Sequence, residues 1–96
     1  MTEAKAAILG VEPRAEVILF GSRARGEAHE ESDFDLLIVT PQQVRGARRQ
    51  AFYGPVYELD LEYGVCLSMH FVSRDRWSAR GSYPFLSTVE EEGIAV

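Results

Sequence analysis

The sequence has a single cysteine and no long hydrophobic run, and these two absences exclude several classes of protein. Cys66 is the only cysteine among 96 residues, so the chain can build neither a disulfide framework nor a metal site of several thiolates. It falls in the apolar alternation of residues 65–69, which predicts a buried structural thiol. No segment approaches the roughly 20 apolar residues of a membrane span, and the N-terminus lacks a basic segment followed by an apolar one. We therefore expect a cytoplasmic protein with no membrane contact.

Positive charge is also scarce. The net charge of −5 argues against the non-specific binding to DNA or RNA that is typical of a basic domain. Apolar residues at 46% and charged residues at 26% are ordinary for a globular domain, and 96 residues predict one domain over 1–96. Three of the arginines, Arg45, Arg48 and Arg49, fall within one predicted helical stretch and could form a local positive rim for a triphosphate.

Two aspartates at the start of an apolar strand are the strongest chemical signal. Asp33 and Asp35 are one residue apart, and residues i and i+2 of a strand point to the same side. Two neighbouring carboxylates on one face are energetically unfavourable without a partner of opposite charge, and Mg²⁺, which prefers hard oxygen ligands, commonly provides that charge. The pair therefore predicts a divalent-metal site.

A glycine–serine loop precedes these aspartates. Gly21 and Ser22 supply small side chains and free backbone N–H groups of the kind that bind phosphate. Arg23 and Arg25 follow, and each could either contact phosphate or simply be solvated. A metal site beside a phosphate-binding loop predicts phosphoryl or nucleotidyl transfer.

The spacing of the two motifs carries a family resemblance. Gly21-Ser22, ten residues, then Asp33-x-Asp35 resembles the minimal nucleotidyltransferase domain, the smallest branch of the DNA polymerase beta-like superfamily. The resemblance implies a palm-like α/β (α+β) fold and a Mg²⁺-dependent transfer of AMP from ATP. It also implies that Asp33 and Asp35 bind the metal and that Ser22 contacts phosphate.

A third carboxylate is expected from the family on the next strand, and this sequence lacks it. Ser68 occupies the expected place, and His70, on the same face of that strand, could complete a metal shell or act as a base. Asp60 and Glu62 are the nearest substitutes in the sequence.

Hydrophobic periodicity and the resemblance together predict a small mixed sheet of three to four strands with helices packed mainly on one face. Residues 57–63 also alternate as a strand would, but the resemblance and the short turn signal at Tyr63-Gly64 favour a helix interrupted near Gly54-Pro55. The predicted strands are 17–20, 33–39, 65–72 and 94–96, and the predicted helices are 2–9, 42–63, 73–80 and 84–93.

Two functions fit these features. The first is a nucleotidyltransferase whose acceptor could be a separate all-helical HEPN-type protein, as the resemblance implies for toxin–antitoxin pairs in which the small transferase is the antitoxin. The alternative is a nucleotide- and metal-binding antitoxin with little or no catalysis, which neutralises its partner by contact. Ser68 favours the second hypothesis, whereas Gly21, Ser22, Asp33 and Asp35 favour the first.

Overall fold

The computed structural model describes residues 2–21 and 34–96. Within these ranges the chain forms four α-helices, four β-strands and one short 3-10 helix. In chain order they are α1 Thr2–Val11, β1 Glu16–Phe20, β2 Phe34–Thr40, α2 Ala47–Tyr63, β3 Leu67–Ser73, α3 Arg74–Ser78, the 3-10 helix Arg80–Ser82, α4 Pro84–Glu92 and β4 Ile94–Ala95. None of the helices in the described ranges is both long enough and apolar enough to cross a bilayer.

The strands form one mixed sheet in the order β3-β2-β1-β4. β2 is parallel to β3 and antiparallel to β1, and β4 pairs antiparallel with the other side of β1. The predicted mixed sheet is confirmed, and it includes the brief edge strand expected near the C-terminus.

β2 is buried on both faces, which explains its continuous apolar sequence. Leu36 and Ile38 belong to one core cluster, and Leu37 and Val39 to another on the opposite face. The first cluster is completed by side chains of α1 and α2, namely Ala4, Ile8, Phe52 and Val56. The second is completed by Leu86 and Val89 of α4. α1 and α2 thus cover one face, while α4 and the shorter α3 pack on the other.

Helix α2 confirms the helical prediction for 57–63 but corrects its details. It begins at Ala47 rather than near residue 42, because the Thr40 hydroxyl donates to the Gln42 carbonyl and Gly46, with φ of 55°, precedes the first turn. The helix also continues through Pro55 without the predicted interruption. A proline inside a helix destabilises it by about 3 kcal/mol, but full burial of the Phe52 and Val56 side chains stabilises the fold by about 1.5–3 kcal/mol each.

The prediction of a buried thiol is wrong. Cys66 is exposed, because β3 begins only at Leu67 and the alternation that buries its side chains does not extend to the preceding residue. The backbone carbonyl of Cys66 accepts a hydrogen bond from the Phe34 N–H at 2.9 Å, so this residue helps to align the starts of β2 and β3.

A buried carboxylate ties the loop after α1 to the first turn of α2. Glu12 is 7% exposed and accepts hydrogen bonds from the backbone and side chain of Arg14 and from Arg48 Nη2 at 2.9 Å. Burial by itself would raise the pKa of Glu12, but the hydrogen bonds from Arg14 and Arg48 outweigh it and hold the pKa below its ordinary value. The ionised form of Glu12 therefore stabilises the fold.

We expect Glu12→Gln to lower the urea midpoint of unfolding near pH 7. Because the pKa of Glu12 is lowered in the folded state, its stabilisation is complete above the carboxyl pKa of the unfolded chain. It is lost as the pH falls through the lower, folded-state value. The difference in midpoint between the two proteins should therefore narrow as the pH falls below the ordinary range of a carboxyl pKa. Glu16→Gln, at an exposed position on β1, is the matched control. A midpoint difference between Glu12→Gln and the unmodified protein that stays constant with pH would contradict the role of the Glu12 charge.

Candidate functional site

The structure describes four of the eight predicted site residues. Gly21, Asp35, Ser68 and His70 all lie in described segments. Asp33 and the loop residues Ser22, Arg23 and Arg25 lie outside the described residues, so their predicted roles stay predictions.

Asp35 lies near the start of the central strand, between one residue of each neighbouring strand. Its register partner on β1 is Phe20, and its register partner on β3 is Ser68. The Asp35 side chain remains 32% exposed, although the residues that follow it in β2 are almost fully buried. The carboxylate is therefore fixed on a rigid strand and still accessible to a ligand.

His70 faces Asp35 from β3. The two residues share a sheet face, because His70 follows Ser68 by two positions. His70 Nε2 is 3.7 Å from Asp35 Oδ1. That distance exceeds a hydrogen bond, so the two groups face each other without a direct one.

Two aromatic rings hold the imidazole in this position. The ring centroids of Phe20 and Phe85 lie 5.4 Å and 6.0 Å from that of His70, and 5.5 Å from each other. Sequence analysis did not assign either phenylalanine to the site. Phe20 could have been assigned to the site because it directly precedes Gly21. Phe85 could not, because it is far from Asp35 in the sequence and only the packing of α4 brings it next to His70.

Gly21 runs directly alongside the carboxylate of Asp35. Its φ is 80°, a backbone conformation that favours glycine. A Cβ at this position would lie 2.6 Å from Asp35 Oδ2, closer than any contact a carbon atom tolerates. The absence of a side chain thus keeps one face of the carboxylate open.

The third carboxylate that the family pattern requires is not supplied by the predicted substitutes. Asp60 and Glu62 lie on α2, which packs on the opposite face of the sheet from Asp35. Asp60 Oδ1 accepts a hydrogen bond from the Leu67 N–H at 3.2 Å, so this carboxylate supports the turn from α2 into β3. No three metal-ligating side chains come together within residues 2–21 and 34–96.

The three arginines of the predicted positive rim, Arg45, Arg48 and Arg49, differ in their surroundings. Arg48 forms its ion pair with Glu12 at 2.9 Å. The Arg49 guanidinium lies over the Phe71 ring, 5.5 Å from its centroid. Arg45 precedes α2 and is exposed. The three side chains do not act as one phosphate-binding group.

The donor chemistry at Asp35 suits a hard cation. A carboxylate oxygen on a rigid strand is the kind of ligand that Mg²⁺ prefers, and the missing side chain of Gly21 leaves room beside Oδ2. His70 could provide a further donor or a hydrogen bond to a bound group. Among the described residues, Asp35 is thus the one carboxylate at this place that fits a hard cation, with His70 beside it.

Comparison with known proteins identifies the family and the fold. The model of the nucleotidyltransferase domain family matches residues 4–94. A crystal structure of a toxin–antitoxin with AMP-PNP is similar at a TM-score of 0.65 and 16% identity, and covers 98% of this chain and 69% of its own. A mutant of the toxin–antitoxin MntA-HpeT, with two aspartates changed to glutamate, is similar at 0.64 and 13% identity, with the same coverage. At these identities the likeness shows the fold alone, and no curated protein matches the chain.

We expect Gly21→Ala to destabilise the protein more than Gly64→Ala. Both glycines have positive φ, 80° and 64°, and an alanine there costs roughly 1–2 kcal/mol. A side chain at Gly64 meets nothing within 4 Å, whereas one at Gly21 displaces the Asp35 carboxylate. Urea denaturation should therefore show an excess loss for Gly21→Ala.

A double-mutant cycle identifies the source of that excess. In an Asp35→Ala background the crowded oxygen is gone, so the excess loss should shrink while the cost of the positive φ remains. An unchanged penalty in both backgrounds would show that Gly21 serves the turn and not the carboxylate.

Proposed function

Since the chain belongs to the nucleotidyltransferase domain family, we propose that it transfers AMP from ATP to an acceptor in a Mg²⁺-dependent reaction. The observation that carries the proposal is the bare backbone of Gly21 beside the exposed carboxylate of Asp35. A rigid strand holds a carboxylate, and a glycine without a side chain leaves it open to a phosphate and its metal.

Each residue has a defined task in the proposed reaction. Asp35, together with Asp33, would hold Mg²⁺. The bound ion would neutralise charge that develops on the phosphate oxygens. Gly21 and Ser22 would bring backbone N–H groups against the triphosphate. His70, held by two aromatic rings, would orient Asp35 or accept a proton at Nε2.

The transfer itself is a displacement at the α-phosphorus. A bond forms between an acceptor oxygen and the α-phosphorus, the bond from that phosphorus to the bridging oxygen breaks, and pyrophosphate leaves while the acceptor loses its proton. We propose that the acceptor is a partner protein of the all-helical HEPN type. The likeness to two toxin–antitoxin structures, one of them with AMP-PNP, supports a protein partner and an adenine nucleotide. The cytoplasm, which the sequence predicts, would supply the nucleotide.

The register of β2 and β3 favours a second candidate function. The β3 residue beside Asp35 is Ser68, which has no charge to offer a metal. A site with fewer carboxylates would bind Mg²⁺ and nucleotide weakly and transfer slowly or not at all. In that case the protein would act as an antitoxin by binding its partner.

Asp35→Asn distinguishes a functional carboxylate from a structural one. We expect it to reduce transfer of label from α-labelled ATP to the partner by about 10²–10³, because an electrostatic contributor to the transition state is lost. Calorimetry should also show weaker Mg²⁺–ATP binding, while the urea midpoint stays the same or rises. Glu62→Gln, which removes an exposed carboxylate from the opposite side of the sheet, should change neither. Unchanged Mg²⁺–ATP affinity in Asp35→Asn would overturn the proposal.

Ser68→Asp separates the two candidate functions. It places a carboxylate next to Asp35 on the neighbouring strand, so it should raise Mg²⁺ affinity. If the unmodified chain is a weak enzyme or a binding module, this variant should strengthen or reveal transfer. Ser68→Asn matches it in shape without the charge. Full transfer by the unmodified chain and a loss in Ser68→Asp would show that the site is complete as it stands.

A further inference from the structure

A cavity adjoins the site and follows the outer edge of β3. Its volume is ≈ 390 Å³, and its lining includes three consecutive β3 residues, His70, Phe71 and Val72. Successive side chains of a strand point to opposite faces of a sheet. A cavity that touches all three must therefore span the edge of the strand and not one face alone.

That edge has no neighbouring strand within residues 2–21 and 34–96. In the described part of the chain β3 pairs only with β2, because it is the end strand of the order β3-β2-β1-β4. Half of the backbone N–H and C=O groups of such a strand point away from the sheet and can pair with an added strand. The cavity thus lies along an edge whose outward backbone groups have no strand partner in the described part of the chain.

The charge of this cavity is opposite to that of the whole protein. Its lining contains Arg49 and Arg76 but no acidic residue, although the net charge of the chain is −5. Among the described residues neither guanidinium forms an ion pair. Arg49 lies over Phe71 at 5.5 Å from the ring centroid, and Arg76 lies 6.0 Å from that of Tyr83. Both cations are held by rings, and their donors are available to a ligand.

The two arginines flank β3 from opposite sides. Arg49 belongs to α2, whose buried side chains join the core cluster on one face. Arg76 belongs to α3, whose Trp77 packs against the cluster on the other face. Adjacent residues of an extended chain also point to opposite sides. Two neighbouring acidic residues on an added strand could therefore each meet one arginine.

We propose that the outer edge of β3 binds an extended acidic segment of a partner protein as an additional strand. Two adjacent carboxylates of that segment pair with Arg49 and Arg76, and its backbone pairs with β3. His70 lines the cavity and faces Asp35 at 3.7 Å, so the bound segment lies next to the site. That the partner is the acceptor of AMP rests on the proposed function. Binding of the segment does not.

The test uses a fluorescein-labelled peptide of alternating threonine and valine with two adjacent glutamates at its centre. Fluorescence anisotropy with the full chain, in the absence of ATP and Mg²⁺, should show saturable binding. Arg49→Gln and Arg76→Gln should each weaken it about tenfold, as expected for a charge-assisted hydrogen bond. Arg45→Gln removes the same charge from an exposed position outside the cavity and should leave the affinity unchanged.

Two altered peptides test charge and strand addition separately. Replacing both glutamates by glutamine should weaken binding as much as removing both arginines. Methylating the backbone nitrogens on one edge of the peptide should abolish binding when that edge faces β3, because the methyl groups prevent strand pairing. The proposal would be overturned if the glutamine peptide, or both methylated peptides, bound as tightly as the original peptide. It would also be overturned if Arg45→Gln lost as much affinity as Arg49→Gln and Arg76→Gln.

Failure of this inference can be told apart from failure of the proposed function. Asp35→Asn should bind the peptide at least as tightly as the unmodified chain, whatever happens to transfer. Peptide binding without transfer would contradict only the proposed function. If Arg49→Gln and Arg76→Gln instead weaken Mg²⁺–ATP binding while the peptide does not bind, the cavity serves the nucleotide and the inference is wrong.

Discussion

The burial of β2 on both faces is the constraint on which the rest of the structure depends. Residues Leu36, Leu37, Ile38 and Val39 are each at most 1% exposed, and their side chains alternate between two core clusters. A shift of one residue in register would exchange those clusters and turn Asp35 into the face covered by α1 and α2. The same packing that stabilises the sheet therefore fixes the direction of the carboxylate.

The site lies where this burial ends. Asp35 is the second residue of β2 and lies at the margin of the core, where the strand fixes its backbone and its side chain stays 32% exposed. Gly21 passes beside it without a side chain, and two phenylalanines hold His70 opposite. Rigid apolar packing on one side and open polar space on the other are what a site for a charged ligand needs.

The two faces of the sheet and its β3 edge differ in coverage and in charge. One face is closed by α1 and α2, and the other is left partly open around Asp35. The β3 edge carries the two arginines that have no carboxylate partner among the described residues. In a chain with net charge −5 this arrangement concentrates attraction for an anion beside the site and weakens it elsewhere.

Apolar periodicity predicted the strands and the type of each long helix, and the spacing of Gly21 and Ser22 from Asp33 and Asp35 indicated the family, because both are local properties of the sequence. The close approach of Gly21 to Asp35 was not predicted. The start of α2 at Ala47 was not predicted, since it depends on the Thr40–Gln42 hydrogen bond and the positive φ of Gly46. Its passage through Pro55 was not predicted either, since tertiary burial of the apolar face of the helix outweighs local propensity. The sequence also could not show that Cys66 is exposed. Only the tertiary structure brought Phe85 to His70 and Arg49 and Arg76 to opposite sides of one strand edge. These contacts join residues distant in sequence, and their distances follow from the packing of whole elements.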